Sequence, residues 1–398
     1  MKFLHTSDWH IGRGIRGQSR LDEQEAALQQ VLSHARDEAV DCVIVAGDVF
    51  DTSAPAPEAE RLVYGFFGEL YGAGIPAVVI AGNHDHPKRL DAVAPLLTSL
   101  GIHARGMARG PADGALIEVA SRDGREKAVV AALPWLNERD MVDFAQLQDE
   151  MGAPLVQYSE RVRAAMRGLA AGFDRDAISV SVAHLLVDDA MVGPGGGERE
   201  LHMAMGIYGV QPEALPTAAQ YVALGHVHKN QEVRCGTKAA YSGSLLQLDF
   251  GERRQEKYVN LVEIHAKQPA QVTPLSITAG RKLIDIGSAV KGVNLNELSQ
   301  YAEQGEDAWY RVFIDLDIPV ANLAQMVRAE LPTAVHVERA KGYVEESAAP
   351  ETMERLGPAE MFTRFYESSL GRERSPSPET LELFRRLLTE EEHAPADA

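Results

Sequence analysis

Two cysteines in 398 residues, Cys42 inside an apolar run and Cys235 far along the chain, exclude a disulfide framework and a thiolate zinc site. Long hydrophobic runs are also missing. No stretch approaches the roughly 20 apolar residues that a bilayer crossing needs, and the opening Met1–Asp8 turns polar too early for a signal peptide, so a cytoplasmic protein is expected. Positive charge is scarce: 39 Lys and Arg stand against 58 Asp and Glu, a formal net charge of −19. That sign excludes a free-standing nucleic-acid binder, so any such role needs metal ions or a partner protein. The segment Glu345–Ala398 repeats the bias with 13 acidic and 6 basic residues. What is present, 45% hydrophobic and 24% charged residues, describes an ordinary globular chain, long enough for two or three domains.

The first two-thirds alternate short β-branched runs with amphipathic helical stretches, which predicts an α/β domain over residues 1–277. Strands are expected at Lys2–Thr6, Asp41–Ala46, Ala77–Ala81, Lys127–Leu133, Ala177–Ala183 and Tyr221–Leu224. Apolar residues at helical spacing place helices around Leu28–Leu32, Val63–Leu70 and Val162–Leu169. A smaller α+β capping domain is expected over residues 278–344. Its helix opens at Asn294 with Glu297 as a capping box, and its strands are Tyr310–Leu316 and Val335–Arg339. Residues 345–398 read as a linker followed by two short helices, one striped with Phe362, Phe365 and Tyr366, the other with Phe384, Leu387 and Leu388.

The residues after the strands are more informative than the strands, because the functional crevice of an α/β sheet lies outside its carboxyl ends. Five strands end in ligand-type residues: Asp8-Trp-His10, Gly47-Asp48-Val-Phe-Asp51, Gly82-Asn-His-Asp85, His184, and Gly225-His-Val-His228. Oxygen donors mixed with imidazoles suit Mn²⁺, Fe²⁺ or Zn²⁺, and the set is large enough for two ions. An Asp-x-His alone is usually a turn cap. Satisfied structural histidines, however, have no reason to recur at successive strand ends.

This series resembles the calcineurin-like metallophosphoesterases. The stretches Leu4–Gly12, Val45–Thr52 and Tyr221–His228 are similar to the branch of that family formed by bacterial DNA nuclease subunits, which are related to archaeal and eukaryotic break-repair nucleases. The resemblance implies a four-layer α/β/β/α sandwich and two divalent ions per chain, most simply Mn²⁺. It assigns Asp8, His10, Asp48 and His228 to one ion and Asp48, Asn83, His184 and His226 to the other, with Asp48 bridging. It implies His84 as the residue that protonates the leaving oxygen or stabilises transition-state charge, oriented by Asp51. The break-repair relatives carry a histidine at the position of Asp51, so the proton chemistry here departs from theirs.

The resemblance further implies a DNA exonuclease and endonuclease acting on double-stranded ends, single strands and hairpins in repair, recombination and replication. Its partner is a coiled-coil ABC-type ATPase docked through residues 351–392, in a complex that contains a dimer of this chain. Arg13, Arg16 and Arg20 are placed to meet phosphates, Asp85 to support its loop, Trp9 to pack, and Gly193–Gly197 to form a loop near the site. The rival activities are a metallophosphoesterase acting on a phosphoprotein or small-molecule phosphate ester, and a scaffold without chemistry. Retention of every proposed ligand argues against the second.

Overall fold

A computed structural model describes residues 1–136, 154–174, 176–188, 190–191, 209–303, 307–316, 320, 322–340, 362–363 and 376–384. The chain forms two units, Met1–Gly342 and Tyr343–Ala398.

The first unit opens with alternating elements: β1 (Lys2–Thr6), α1 (Leu21–Asp37), β2 (Cys42–Val45), α2 (Pro57–Gly72), β3 (Ala77–Ile80), α3 (Pro87–Ser99) and β4 (Ile102–Arg105). These four strands pair in parallel, and the sheet is completed by the antiparallel strands β13 (Lys257–Glu263) and β14 (Gln271–Ile277), in the order β14-β13-β1-β2-β3-β4. A second sheet is built from β5 (Leu116–Ala120), β6 (Lys127–Leu133), β7 (Ile178–His184), β10 (Tyr221–Gly225), β11 (Gln231–Arg234) and β12 (Lys238–Tyr241). Its order is β11-β12-β10-β7-β6-β5. The short pair β8 (Leu186–Val187) and β9 (Gly209–Val210) follows β7.

Period-2 alternation assigns the two faces of each central strand. Phe3, Ile44, Val78 and Ile80 meet Val130, Val180, Val182 and Tyr221 of the other sheet in one buried cluster. Leu4, Val43, Val45 and Val79 instead face Leu28, Val31, Val63 and Phe67 of α1 and α2. On the far side, Ala131, Leu133, Val222 and Leu224 pack against Val162, Met166 and Leu169 of α4 (Pro154–Ala170). The layers therefore run helices, sheet, sheet, helix, which is the expected α/β/β/α sandwich. Strands buried on both faces also explain why their sequences read as nearly unbroken apolar runs.

Within the same unit, β15 (Lys282–Ile286), β16 (Ala308–Ile314) and β17 (Ala334–Arg339) form a three-stranded parallel sheet. It is covered by α5 (Leu298–Glu303) and α6 (Leu323–Glu330) around its own apolar cluster of Ile286, Leu298, Val312, Ile314 and Val327. The helix entry carries the capping box read from the sequence, with Asn294 N–H donating to Glu297 Oε2 at 3.1 Å. Glu23 of α1 ties this sheet to the sandwich: Trp309 Nε1 donates to it at 2.8 Å and the Arg281 backbone N–H at 2.8 Å.

In the second unit, Phe362 and Phe384, one from each expected stripe, stack with centroids 4.2 Å apart and planes 12° from parallel. Phe365, Tyr366, Leu387 and Leu388 lie outside the described residues, as does Gly193–Gly197.

Candidate metal centre

The carboxyl ends of β1, β2, β3, β7 and β10 converge at one edge of the sandwich and deliver every proposed ligand to it. Donor atoms of Asp8, His10 and His228 lie within 4.8 Å of one another, as do those of Asp8, Asp48 and His184, and those of His10, Asp48 and His84. Asn83 joins through Oδ1, 3.0 Å from His184 Nε2 and 3.0 Å from His226 Nδ1. Asp48 is central: its Oδ2 is 3.5 Å from His10 Nε2 and 3.4 Å from His184 Nε2.

This convergence requires unusual backbone. Asp8, His10, Asp48 and His226 all have positive φ, at 51°, 46°, 49° and 104°, a region that costs a non-glycine residue about 1–3 kcal/mol. The loops are held there by hydrogen bonds. His226 N–H donates to Asp8 Oδ1 at 3.0 Å, and His84 N–H donates to Asp48 Oδ1 at 2.8 Å. Asp85, fully committed, accepts from the backbone N–H groups of Val49 (3.1 Å), Phe50 (2.9 Å) and Gly82 (2.9 Å). Gly47, at φ 94°, lets its loop pass close to His184, since a Cβ there would lie 2.3 Å from the ring Nδ1.

The donor set has the character of a cation site. His184 Nδ1 donates to the Ala46 carbonyl at 2.7 Å, so in a neutral ring the lone pair on Nε2 faces the oxygen of Asn83 and the carboxylate of Asp48. Both ring nitrogens of His10 are buried without a well-formed hydrogen bond. Acceptors pointed at acceptors in a buried space need positive charge between them. The electrostatics show the same demand for positive charge, which a proton on His184 also answers. Burial opposes ionisation of Asp48, but His184, His10 and His84 outweigh it and hold the carboxyl well below its usual range. Burial works to lower His184, and Asp48 and Asp8 nonetheless push it up to about 9. Burial and the nearby charge of Asp48 push Asp85 up to about 6 against its three N–H bonds.

His84 is half-buried, its Nδ1 donates to the backbone carbonyl of Asp51 at 2.8 Å, and its ring sits edge-on to His10 with centroids 4.7 Å apart. The carboxylate of Asp51 points elsewhere, with Oδ1 3.3 Å from His10 Nδ1 and 3.2 Å from Arg13 Nη1. Of the three arginines expected near phosphates, only Arg13 sits at the site and Arg16 is exposed. Arg20 is buried, and it donates to Glu23 Oε2 at 2.8 Å and to the Gln247 carbonyl, so it is a structural ion pair and not a phosphate contact. Trp9 packs edge-on against Phe66 at 5.3 Å and donates to Thr6 Oγ1 at 2.8 Å, as a core residue does.

Among the described residues, two at the site escape sequence reasoning. Trp135 stacks on His226 at 5.3 Å and 22°; it follows the end of β6, so the strand-end rule extended to one more strand would have found it. Glu252 is fully buried with Oε1 2.9 Å from His228 Nδ1. Nothing in its local sequence announces a buried carboxylate.

Comparison with known proteins gives two family-model matches, Calcineurin-like phosphoesterase over residues 1–158 and Type 5 capsule protein repressor C-terminal domain over residues 289–369. The first spans the strand ends from Asp8 to Asp85; His184, His226 and His228 lie beyond it. The SbcD component of the SbcCD nuclease of Bacillus subtilis (strain 168) is 34% identical over 409 residues, covering 99% of this chain and 100% of the relative. The SbcD protein of Rhodobacter capsulatus is 34% identical over 289 residues, 69% of each chain. That of Escherichia coli (strain K12) is 28% identical over 382 residues, 92% of each.

Proposed function

The chain belongs to the SbcD family of metallophosphoesterase nuclease subunits, and from that premise we propose that its centre holds two Mn²⁺ ions that serve DNA phosphodiester hydrolysis. In this reading Asp8, His10, Asp48 and His228 hold one ion, Asp48, Asn83, His184 and His226 the other, and Asp48 bridges. The observation that carries it is the convergence of all seven donors, with Asp48 Oδ2 facing a histidine of each set at 3.4–3.5 Å.

When bound, such ions supply an activated water near neutral pH and offset the charge of the phosphodiester. The protein's own residues do the rest. Asp85 clamps the loops after β2 and β3 together, which fixes Asp48 against Asn83. His84 has its Nδ1 hydrogen engaged by Asp51 O, so Nε2 is the atom at which a proton is held for the leaving oxygen or transition-state charge is met. Asp51 contributes to His84 through its backbone carbonyl, while its carboxylate steadies His10 and Arg13.

The substrates are double-stranded ends, single strands and hairpins, cut by exonuclease and endonuclease action in repair and recombination. The partner is an SbcC-type coiled-coil ATPase docked through residues 351–392, with two copies of this chain in a heterotetramer. The charge of −19 supports a partner that supplies the DNA-binding surface. The test is incubation of the purified protein, with and without the ATPase, on single-stranded, duplex and hairpin DNA in Mn²⁺ and in Mg²⁺, beside a plain phosphate monoester. Metal-dependent cutting of the diesters, extended by ATP and the partner, is expected. Preferential hydrolysis of the monoester would overturn the substrate. Truncation before Glu351 should leave a folded Mn²⁺-dependent nuclease that no longer co-purifies with the ATPase; retained co-purification would overturn the docking segment.

A further inference from the structure

We propose that Glu252 is a positioning residue for the metal centre: its carboxylate fixes the imidazole of His228 as an Nε2 ligand and tightens the Asp8 site over the Asn83 site. The inference rests on the reading of His228 as a ligand given above.

Glu252 ends the single turn Phe250–Glu252 and has no exposed surface. Its Oε2 already accepts from the Leu248 N–H at 3.1 Å and from Lys257 Nζ at 2.7 Å. Oε1 faces His228 Nδ1 at 2.9 Å and offers only lone pairs, so the hydrogen of that contact sits on Nδ1. A neutral imidazole so engaged carries its lone pair on Nε2, the tautomer a metal ligand requires. Lys257 holds the other end of the same device. Besides Glu252, its Nζ has the His228 carbonyl at 3.1 Å, Ser244 Oγ at 2.8 Å and Gln255 Oε1 at 3.2 Å within hydrogen-bonding distance, four acceptors sharing three hydrogens. One ammonium thus anchors both the backbone of His228 and the carboxylate that orients its ring. From the opposite side, Phe250 is buried with Ile15, Leu283, Trp309 and Val335, which fixes the turn against the three-stranded sheet.

A buried ion pair is an expensive way to fill space, since an apolar pair of similar volume folds at least as well. The charge is accounted for by its contact: a carboxylate behind a ligating histidine raises the basicity of the ring and locks its orientation. The two proposed metal sites differ in this respect. On the Asp8 site, His228 is backed by the hydrogen-bonded carboxylate of Glu252, and the carboxylate of Asp51 lies 3.3 Å from His10 Nδ1 without a well-formed hydrogen bond. On the Asn83 site, His184 is backed by a neutral backbone carbonyl, that of Ala46. The asymmetry predicts that loss of Glu252 is felt at one site only.

The experiment is a calorimetric titration of the metal-free full-length protein with Mn²⁺ alone. Wild type should bind two ions; fewer than two would overturn the two-metal reading itself and not the role of Glu252. In Glu252→Gln one affinity should fall by about 10–100-fold, the range for removing such an outer partner, while the other holds. Because that variant strands the Lys257 charge, the double variant Glu252→Gln/Lys257→Met is measured beside it, together with the melting temperature of the metal-free proteins. Selective weakening of one ion in the double variant, with a melting temperature near wild type, supports the proposal. Both ions bound at wild-type affinity, a lowered melting temperature with no change in Mn²⁺ affinity, or equal loss at both sites would overturn it.

Discussion

A Cβ atom on Gly82 would lie 2.1 Å from Oδ1 of Asp48. The backbone of the loop after β3 therefore presses directly on the carboxylate read as the bridge, at a distance no side chain tolerates. Gly82→Ala should displace Asp48 without disturbing the sandwich, whose core lies below the loops. Cleavage should fall by about 10²-fold or more, as expected when a reacting geometry shifts by an ångström, with little change in melting temperature. Activity assays beside a thermal melt check this, and an active Gly82→Ala protein would contradict the close approach.

His84→Ala separates binding from chemistry. The ring sits within reach of His10 and Asp48, yet its Nδ1 is tied to Asp51 O and its side chain is half-buried. Both Mn²⁺ ions and DNA affinity should persist while cleavage slows by about 10²–10⁴-fold, the contribution of a general acid. Parallel loss of metal and rate would show that His84 is itself a ligand.

The strand ends were legible because parallel strands buried on both faces leave chemistry only at their tips. Lys2–Thr6 and Lys127–Leu133 coincide with the observed strands, and β7 runs one residue further than expected, so that His184 is its last residue. Helix α3 is missing from the sequence reading; Pro95 lies inside it, and proline argues against a helix interior. Arg20 was misplaced because a buried arginine can be recognised only through its partner, here Glu23 three positions on. The left-handed backbone of Asp8, His10, Asp48 and His226 carries no sequence signal, since each is imposed by loops that meet only in the folded state. Glu252 is hidden for the same reason: its partners His228 and Lys257 come together only through the β10–β13 region.

His5 supplies a pH-dependent contribution to stability. It is fully buried, shares a 2.8 Å hydrogen bond with Tyr221 Oη, and burial lowers its pKa from 6.5 to about 3. Between these values the unfolded chain binds the proton and the folded chain does not, so stability is complete above pH 6.5 and declines as pH falls toward 3. In His5→Gln, which cannot titrate, this part of the decline should disappear. Thermal melts of the two metal-free proteins from about pH 7.5 to about pH 5, a range that brackets the unfolded value, check it; parallel pH profiles would contradict the assignment.

The most direct measurement is the manganese content of wild type and Asp48→Ala after equilibration with Mn²⁺ and removal of the excess. If Asp48 bridges, one substitution damages both sites: wild type should retain two ions per chain, and Asp48→Ala should lose metal from both sites together with all nuclease activity. Two firmly held ions per chain in Asp48→Ala would contradict a bridged two-metal centre.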